Sequence, residues 1–193
     1  ELPNGINLFL VEDPEFPTID VWAMVRAGSD FETADKTGLA SITGTVLRTG
    51  GTQSKTGDQI DKELETLAAT VETSIGQTAG NIRVSVLKED FDKALAILAD
   101  ILTNPAFRDD KINLAKIMQK SMIARRNDDI SSITYREFDR LMYGKDSPYA
   151  RQPEYATIDA ITRQDLIDFY NAYFHPNNTL MAVWGDFKSA DMI

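Results

Sequence analysis

The stretch Lys36-Thr37-Gly38-Leu39-Ala40-Ser41-Ile42-Thr43-Gly44-Thr45-Val46-Leu47-Arg48-Thr49-Gly50-Gly51-Thr52 decides the fold. Leu39, Ala40, Ile42, Thr43, Val46 and Leu47 recur at helical spacing until Gly50 and Gly51 stop them, so the spacing predicts a helix. Its small and apolar residues mark that helix as buried. On its N-terminal side, Ile6 to Val11 and Thr18 to Arg26 are rich in Ile, Leu, Phe, Val and Trp, with Asp13-Pro14-Glu15-Phe16-Pro17 between them. That is the pattern of two strands joined as a hairpin. On its C-terminal side, Thr56 stands ready to cap a second helix through about Ala68, with Ile60, Leu64 and Leu67 on one face. Thr70 to Ile75 and Asn81 to Leu87 then alternate around Gly76 to Gly80 and read as another hairpin.

The rest of the chain is mostly helical. An amphipathic helix runs from Asp90 to Leu102, ended by Asn104-Pro105, and a longer one from Asp109 to about Asn127. Ile133 to Met142 and Thr162 to Phe174 follow, the latter opened by a capping box at Thr162 and Asp165, and Thr179 to Trp184 closes the chain as a strand. Two hairpins, several helices and a last strand predict an α+β fold, with helices packed on one face of a mostly antiparallel sheet. At 193 residues the chain is one ordinary domain.

Composition removes whole classes of function. No apolar run approaches the roughly 20 residues of a membrane helix, so no membrane insertion is expected. Thirty Asp+Glu against twenty Lys+Arg give a net charge of -10 without a segregated basic run, which argues against nucleic acid and for neutral or basic partners. With no Cys and a single His, His175, the chain cannot build disulfides, thiolate metal sites or a zinc site on paired imidazoles. His175, between Phe174 and Pro176, is expected to cap or pack. Cysteine-free chains are common among exported bacterial proteins, which favours the periplasm or another exported compartment, with the cytoplasm as the alternative. The chain opens at Glu1 with neither Met nor a signal segment, as expected of a processed or excised piece.

Several short motifs fail on order or spacing. Lys36-Thr37-Gly38 and Lys55-Thr56-Gly57 spell K-T-G, and Ser85 to Lys88 spells S-x-x-K, but both K-T-G copies precede the would-be nucleophile, which falls in a strand. Gly50-Gly51-Thr52 lacks phosphate-loop spacing, and Asn127-Asp128-Asp129 lacks the following donors of a calcium loop, which leaves a solvated helix end. Asn177-Asn178-Thr179 matches a glycosylation sequon, a frequent chance match.

Seven strings in order resemble the metallopeptidase family of insulinase, pitrilysin and the mitochondrial processing peptidase. They are Leu2 to Ile6, Val25 to Ser29, Lys36 to Ala40, Gly50 to Thr52, Asn104 to Phe107, Tyr143-Gly144 with Ser147 to Tyr149, and the closing strand with Gly185-Asp186. The resemblance spans essentially the whole chain. It implies an inverted zinc motif, H-x-x-E-H, directly after Gly38-Leu39-Ala40. Here Ser41 stands at the first His, Gly44 at the general-base Glu and Thr45 at the second His. The family's third ligand, a Glu, maps onto Ser121 or Met122, and no acidic residue occurs from Lys111 to Arg126. What the resemblance implies is therefore a catalytically inactive homologue that binds no zinc itself. Its partner would be an active homologous subunit or domain carrying the zinc, as in a heterodimer, and a second homologous half would follow this domain. The family's peptide-pairing strand maps onto Glu72, Thr73, Ser74 and Ile75, as an edge that takes up unfolded peptide or, alternatively, as an ordinary interior strand. A structural or assembly subunit that kept the fold without peptide handling is the rival expectation, and an unrelated serine or carboxylate enzyme a third.

Overall fold

The computed structural model describes residues 1–192. Five strands form one sheet: β1 (Asn7–Glu12), β2 (Thr18–Val25), β3 (Thr70–Ile75), β4 (Gly80–Leu87) and β5 (Thr179–Gly185). Among the described residues seven α-helices accompany them: α1 (Leu39–Thr49), α2 (Gly57–Thr66), α3 (Phe91–Thr103), α4 (Asp109–Arg125), α5 (Ile130–Tyr143), α6 (Tyr155–Ala160) and α7 (Arg163–Tyr173). The α+β expectation holds: the strand order is β1, β5, β2, β4, β3, and every pairing is antiparallel except β1 with β5.

Alternation along the strands puts one face of the sheet under the helices. Ile19, Val21, Ala23 and Val25 of β2 are buried with Ile82, Val84 and Val86 of β4 and Val71 and Ile75 of β3, in one core with Ile42, Val46 and Leu47 of α1. The opposite face carries Phe9, Val11 and Trp184, all exposed, at its β1 and β5 end.

The structure corrects one sequence expectation. β1 and β2 are not a hairpin, because β5 lies between them, parallel to β1 and antiparallel to β2. Alternation and a Pro-containing turn predict two strands and a reversal, but both are satisfied equally when a third strand fills the gap. The five residues between β1 and β2 easily bridge two strand spacings of about 4.8 Å each. The end of β5 is stitched to both neighbours, with Asp13 N donating to Gly185 O at 2.8 Å and Asp186 N to Thr18 O at 3.0 Å. The short α6 had no place among the expected elements, since six residues are too few to show a helical period.

Capping fixes the helix starts. Thr56 and Gln59 form a reciprocal capping box on α2, and Thr162 and Asp165 form one on α7. Asp129 accepts from Ser132 N at 2.7 Å at the start of α5, so the Asn127-Asp128-Asp129 cluster is a helix boundary. Lysines close the other end of α6. Lys36 reaches the Ala160 carbonyl, and Lys116 those of Asp159 and Ile161.

Lys36 also holds Asp165 at 2.9 Å. Burial raises the Asp165 carboxyl, but the Lys36 ammonium and the hydroxyl and amide of Thr162 outweigh it and hold the group below its ordinary range. A depressed carboxylate stabilises the fold above its unfolded value and loses that contribution as pH falls through its folded one. Asp165→Asn is expected to cost roughly 1 kcal/mol at pH 7 by urea denaturation, and the gap to the parent chain should close as the buffer is taken toward pH 3.

Candidate functional site

α1 enters the core through Gly38, whose φ of +107° no L side chain adopts without strain. With no side chain there to cap the helix, the buried Glu32 does so from six residues away. Its carboxylate accepts from Gly38 N at 2.9 Å and from Ala40 N. Burial pushes the Glu32 carboxyl above its ordinary range, against the pull of those two N–H donors and of Arg151.

Beyond this cap, α1 lies between α4 and the edge strand β3. At Gly44 the helix comes so near the strand that a Cβ there would sit 2.4 Å from Ile75 N, with Ile75 Cγ1 and the Ser74 carbonyl carbon both at 2.9 Å. Thr73 Oγ1 donates to the Gly44 carbonyl at 2.6 Å across the same contact. On the other flank Gln119 Nε2 donates to Ser41 Oγ at 2.7 Å. Thr45 Oγ1 donates to the Ser41 carbonyl at 3.0 Å, one turn back along its own helix.

The three mapped positions thus lie together on α1, and each is already committed to packing or to a protein hydrogen bond. They do not fit a zinc ion. Ser41 and Thr45 offer engaged hydroxyls in place of neutral imidazoles, and the backbone of β3 fills the space a Gly44 side chain would need. Ser121 and Met122 are exposed, and the α4 side chain that hydrogen-bonds to α1 is that of Gln119. Among the described residues no group of three or more His, Cys, Asp or Glu side chains could hold a metal ion. His175 is exposed in the turn before β5.

Glu72, Thr73, Ser74 and Ile75 lie on β3, which is an edge of the sheet, not an interior strand. Pairing alternates along an antiparallel ladder. Gly76 N donates to Ala79 O in the turn, so Ser74, Glu72 and Thr70 bond to β4 while Val71, Thr73 and Ile75 turn their main-chain groups outward. Arg48, buried in the last turn of α1, donates from Nε to Val71 O at 2.9 Å and pairs through Nη2 with Asp61 of α2 at 2.5 Å.

Three residues of this region escaped the sequence reading, and each left a trace there. Gln119 is the one polar residue in the buried series Ile112, Ala115, Gln119, Ile123 of α4, and Arg48 is the one charge on the buried face of α1. Glu32 left the weakest trace, because a cap supplied from outside the helix follows no fixed spacing.

The scaffold is an α+β domain whose buried first helix packs directly against the edge strand of a five-stranded sheet. Residues 8–140 match the insulinase family, peptidase family M16, and the chain belongs to that family. It is 24% identical over 188 residues to an uncharacterized zinc protease of Rickettsia felis, covering 96% of this chain and 45% of that protein. It is also 20% identical over 195 residues to cytochrome b-c1 complex subunit 1 of Bos taurus, covering 100% of this chain and 40% of that one. Its fold superposes on the crystal structure of a peptidase M16 inactive domain from Pseudomonas fluorescens with a TM-score of 0.91, 22% identity and 98% of this chain covered. The chain spans less than half the length of each of these proteins.

Gly44→Ala tests the contact between α1 and β3. Helix propensity alone would favour Ala by about 1 kcal/mol. The clash with Ile75 should reverse that sign and leave a net loss of about 1–3 kcal/mol in chemical denaturation.

Proposed function

We propose that this chain is a non-catalytic peptidase-like domain that pairs with an active homologous domain or subunit and forms one wall of a chamber for unfolded peptide. The observation that carries this reading is the pairing of an intact family fold with a ligand region filled by its own packing. Gly44 lies against β3, and Ser41 is held by Gln119. Hydrolysis by this family's route needs a metal-bound water and a base to deprotonate it. Ser41, Gly44 and Thr45 supply neither, so zinc belongs to the partner.

What remains useful is the neighbouring strand. Main-chain pairing along Glu72 to Ile75 grips a peptide without reading its side chains, which suits a chamber that accepts many sequences. Apolar surface for a partner domain is also present. α5 has no buried residue and leaves Ile130 82% and Leu141 85% exposed, together with Tyr135 and Phe138. Large apolar side chains left this exposed along one helix suit a partner surface. A second homologous half, following this one in the same polypeptide, accords with relatives more than twice as long.

The similarity to a subunit of the cytochrome b-c1 complex favours a second reading, in which the domain serves assembly alone. Peptide binding separates the two. Incubated alone with zinc and a flexible, fluorescently labelled peptide, the chain is expected to bind without cleaving. Affinity should be higher for a lysine-bearing peptide than for a glutamate-bearing one, and the difference should shrink as salt is raised, given the net charge of -10. Chelator-sensitive cleavage would overturn the non-catalytic assignment, and an absence of binding to either peptide would leave the assembly reading.

A further inference from the structure

The open edge of β3 is stopped at both ends by other parts of the chain. At the C-terminal end, the loop after β2 covers the turn. Ser29 N donates to Gly76 O and Asp30 N to Gln77 O, both at 3.0 Å, and Gly28 packs so tightly that a Cβ there would lie 2.0 Å from Gln77 O. At the N-terminal end the stop is a side chain. Arg48 leaves the last turn of α1, spends its Nε–H on the outward carbonyl of Val71 and is anchored beyond the strand by Asp61. Between these stops lie the outward main-chain groups of Thr73 and Ile75, which no hydrogen bond among the described residues reaches, with Gly44 of α1 packed against Ile75 N from the helix side.

We propose that Arg48 is a register stop: it limits a peptide strand docked on β3 to the window of Thr73 and Ile75 and thereby fixes which peptide residues are paired. This rests on the reading that β3 takes up peptide. In an antiparallel ladder each outward residue exchanges both its N–H and its C=O with the residue opposite. Opposite Val71 that exchange fails, because the carbonyl already accepts from Arg48 and the guanidinium fills the position of the incoming N–H. Displacing it would strip a buried guanidinium of a charge-assisted hydrogen bond, a costlier step than leaving one peptide residue unpaired. A short window also serves sequence tolerance, since few peptide residues need to lie straight. Arg48 touches neither Ser41 nor Thr45 in any hydrogen bond, so its effect is confined to the strand edge.

Amide hydrogen exchange read residue by residue tests this, with an unstructured decapeptide of alternating Lys and Thr as the probe. In the parent chain saturating peptide should slow exchange at Thr73 and Ile75 by about tenfold or more and leave Val71 unchanged. In Arg48→Met, which keeps an apolar stem, Val71 should join the protected set. Asp61→Asn, at an exposed position, should produce a weaker version of the same change, and it keeps the test alive should Arg48→Met fail to fold. Protection of Val71 in the parent chain overturns the proposal, as does its failure to appear in either folded variant while Thr73 and Ile75 are protected. If no β3 amide responds in any of the three proteins, the peptide-binding reading falls and the register stop with it.

Discussion

At Gly44 the backbone of α1 lies directly against that of β3 at Ser74 and Ile75, and the rest of the site depends on this contact. A helix and a strand meet at this distance only where one of them has no side chain. Once they meet, Thr73 reaches the Gly44 carbonyl, and Arg48, one turn further along α1, reaches the Val71 carbonyl and Asp61. Gln119 pins the opposite flank through Ser41. The contact that joins α1 to the edge of the sheet therefore also leaves no room for a side chain at position 44.

On the proposed mapping, loss of ligands and gain of packing go together. Replacing His by Ser or Thr alone would leave polar groups facing an empty groove, and buried polar groups without partners are costly. Here Thr45 bonds back to its own helix and Ser41 accepts from Gln119, so neither hydroxyl is left over. Restoring two imidazoles would consequently not rebuild a metal centre by itself. The base position is blocked by main chain, which cannot swing aside as a side chain does.

Much of the fold was legible in the sequence because its signals are local and redundant. The buried run from Leu39 to Leu47 between two glycine stops, the Thr56 and Thr162 caps, and the alternation of Thr70 to Ile75 and Asn81 to Leu87 each predict one element that the structure contains. The neighbour of β1 was not legible. Strand pairing between residues about 170 positions apart leaves no mark in either segment, whereas a Pro-containing turn between β1 and β2 suggests a hairpin that does not form. For the site, the positions of Ser41, Gly44 and Thr45 on one helix could be read from spacing and resemblance. That Gly44 touches Ile75, that Gln119 rather than Ser121 or Met122 reaches α1, and that Arg48 crosses the strand edge are consequences of how three elements pack.

On the proposed reading, the packing of α1 against β3 stands where active relatives would hold a metal centre. Calorimetric titration of zinc into the metal-free chain at neutral pH decides the matter. Heats no larger than those of dilution are expected up to millimolar zinc, with an unchanged melting temperature, because an ion with no site on the folded state cannot stabilise it. Stoichiometric binding with micromolar or tighter affinity, accompanied by a rise in melting temperature, would overturn the zinc-free reading.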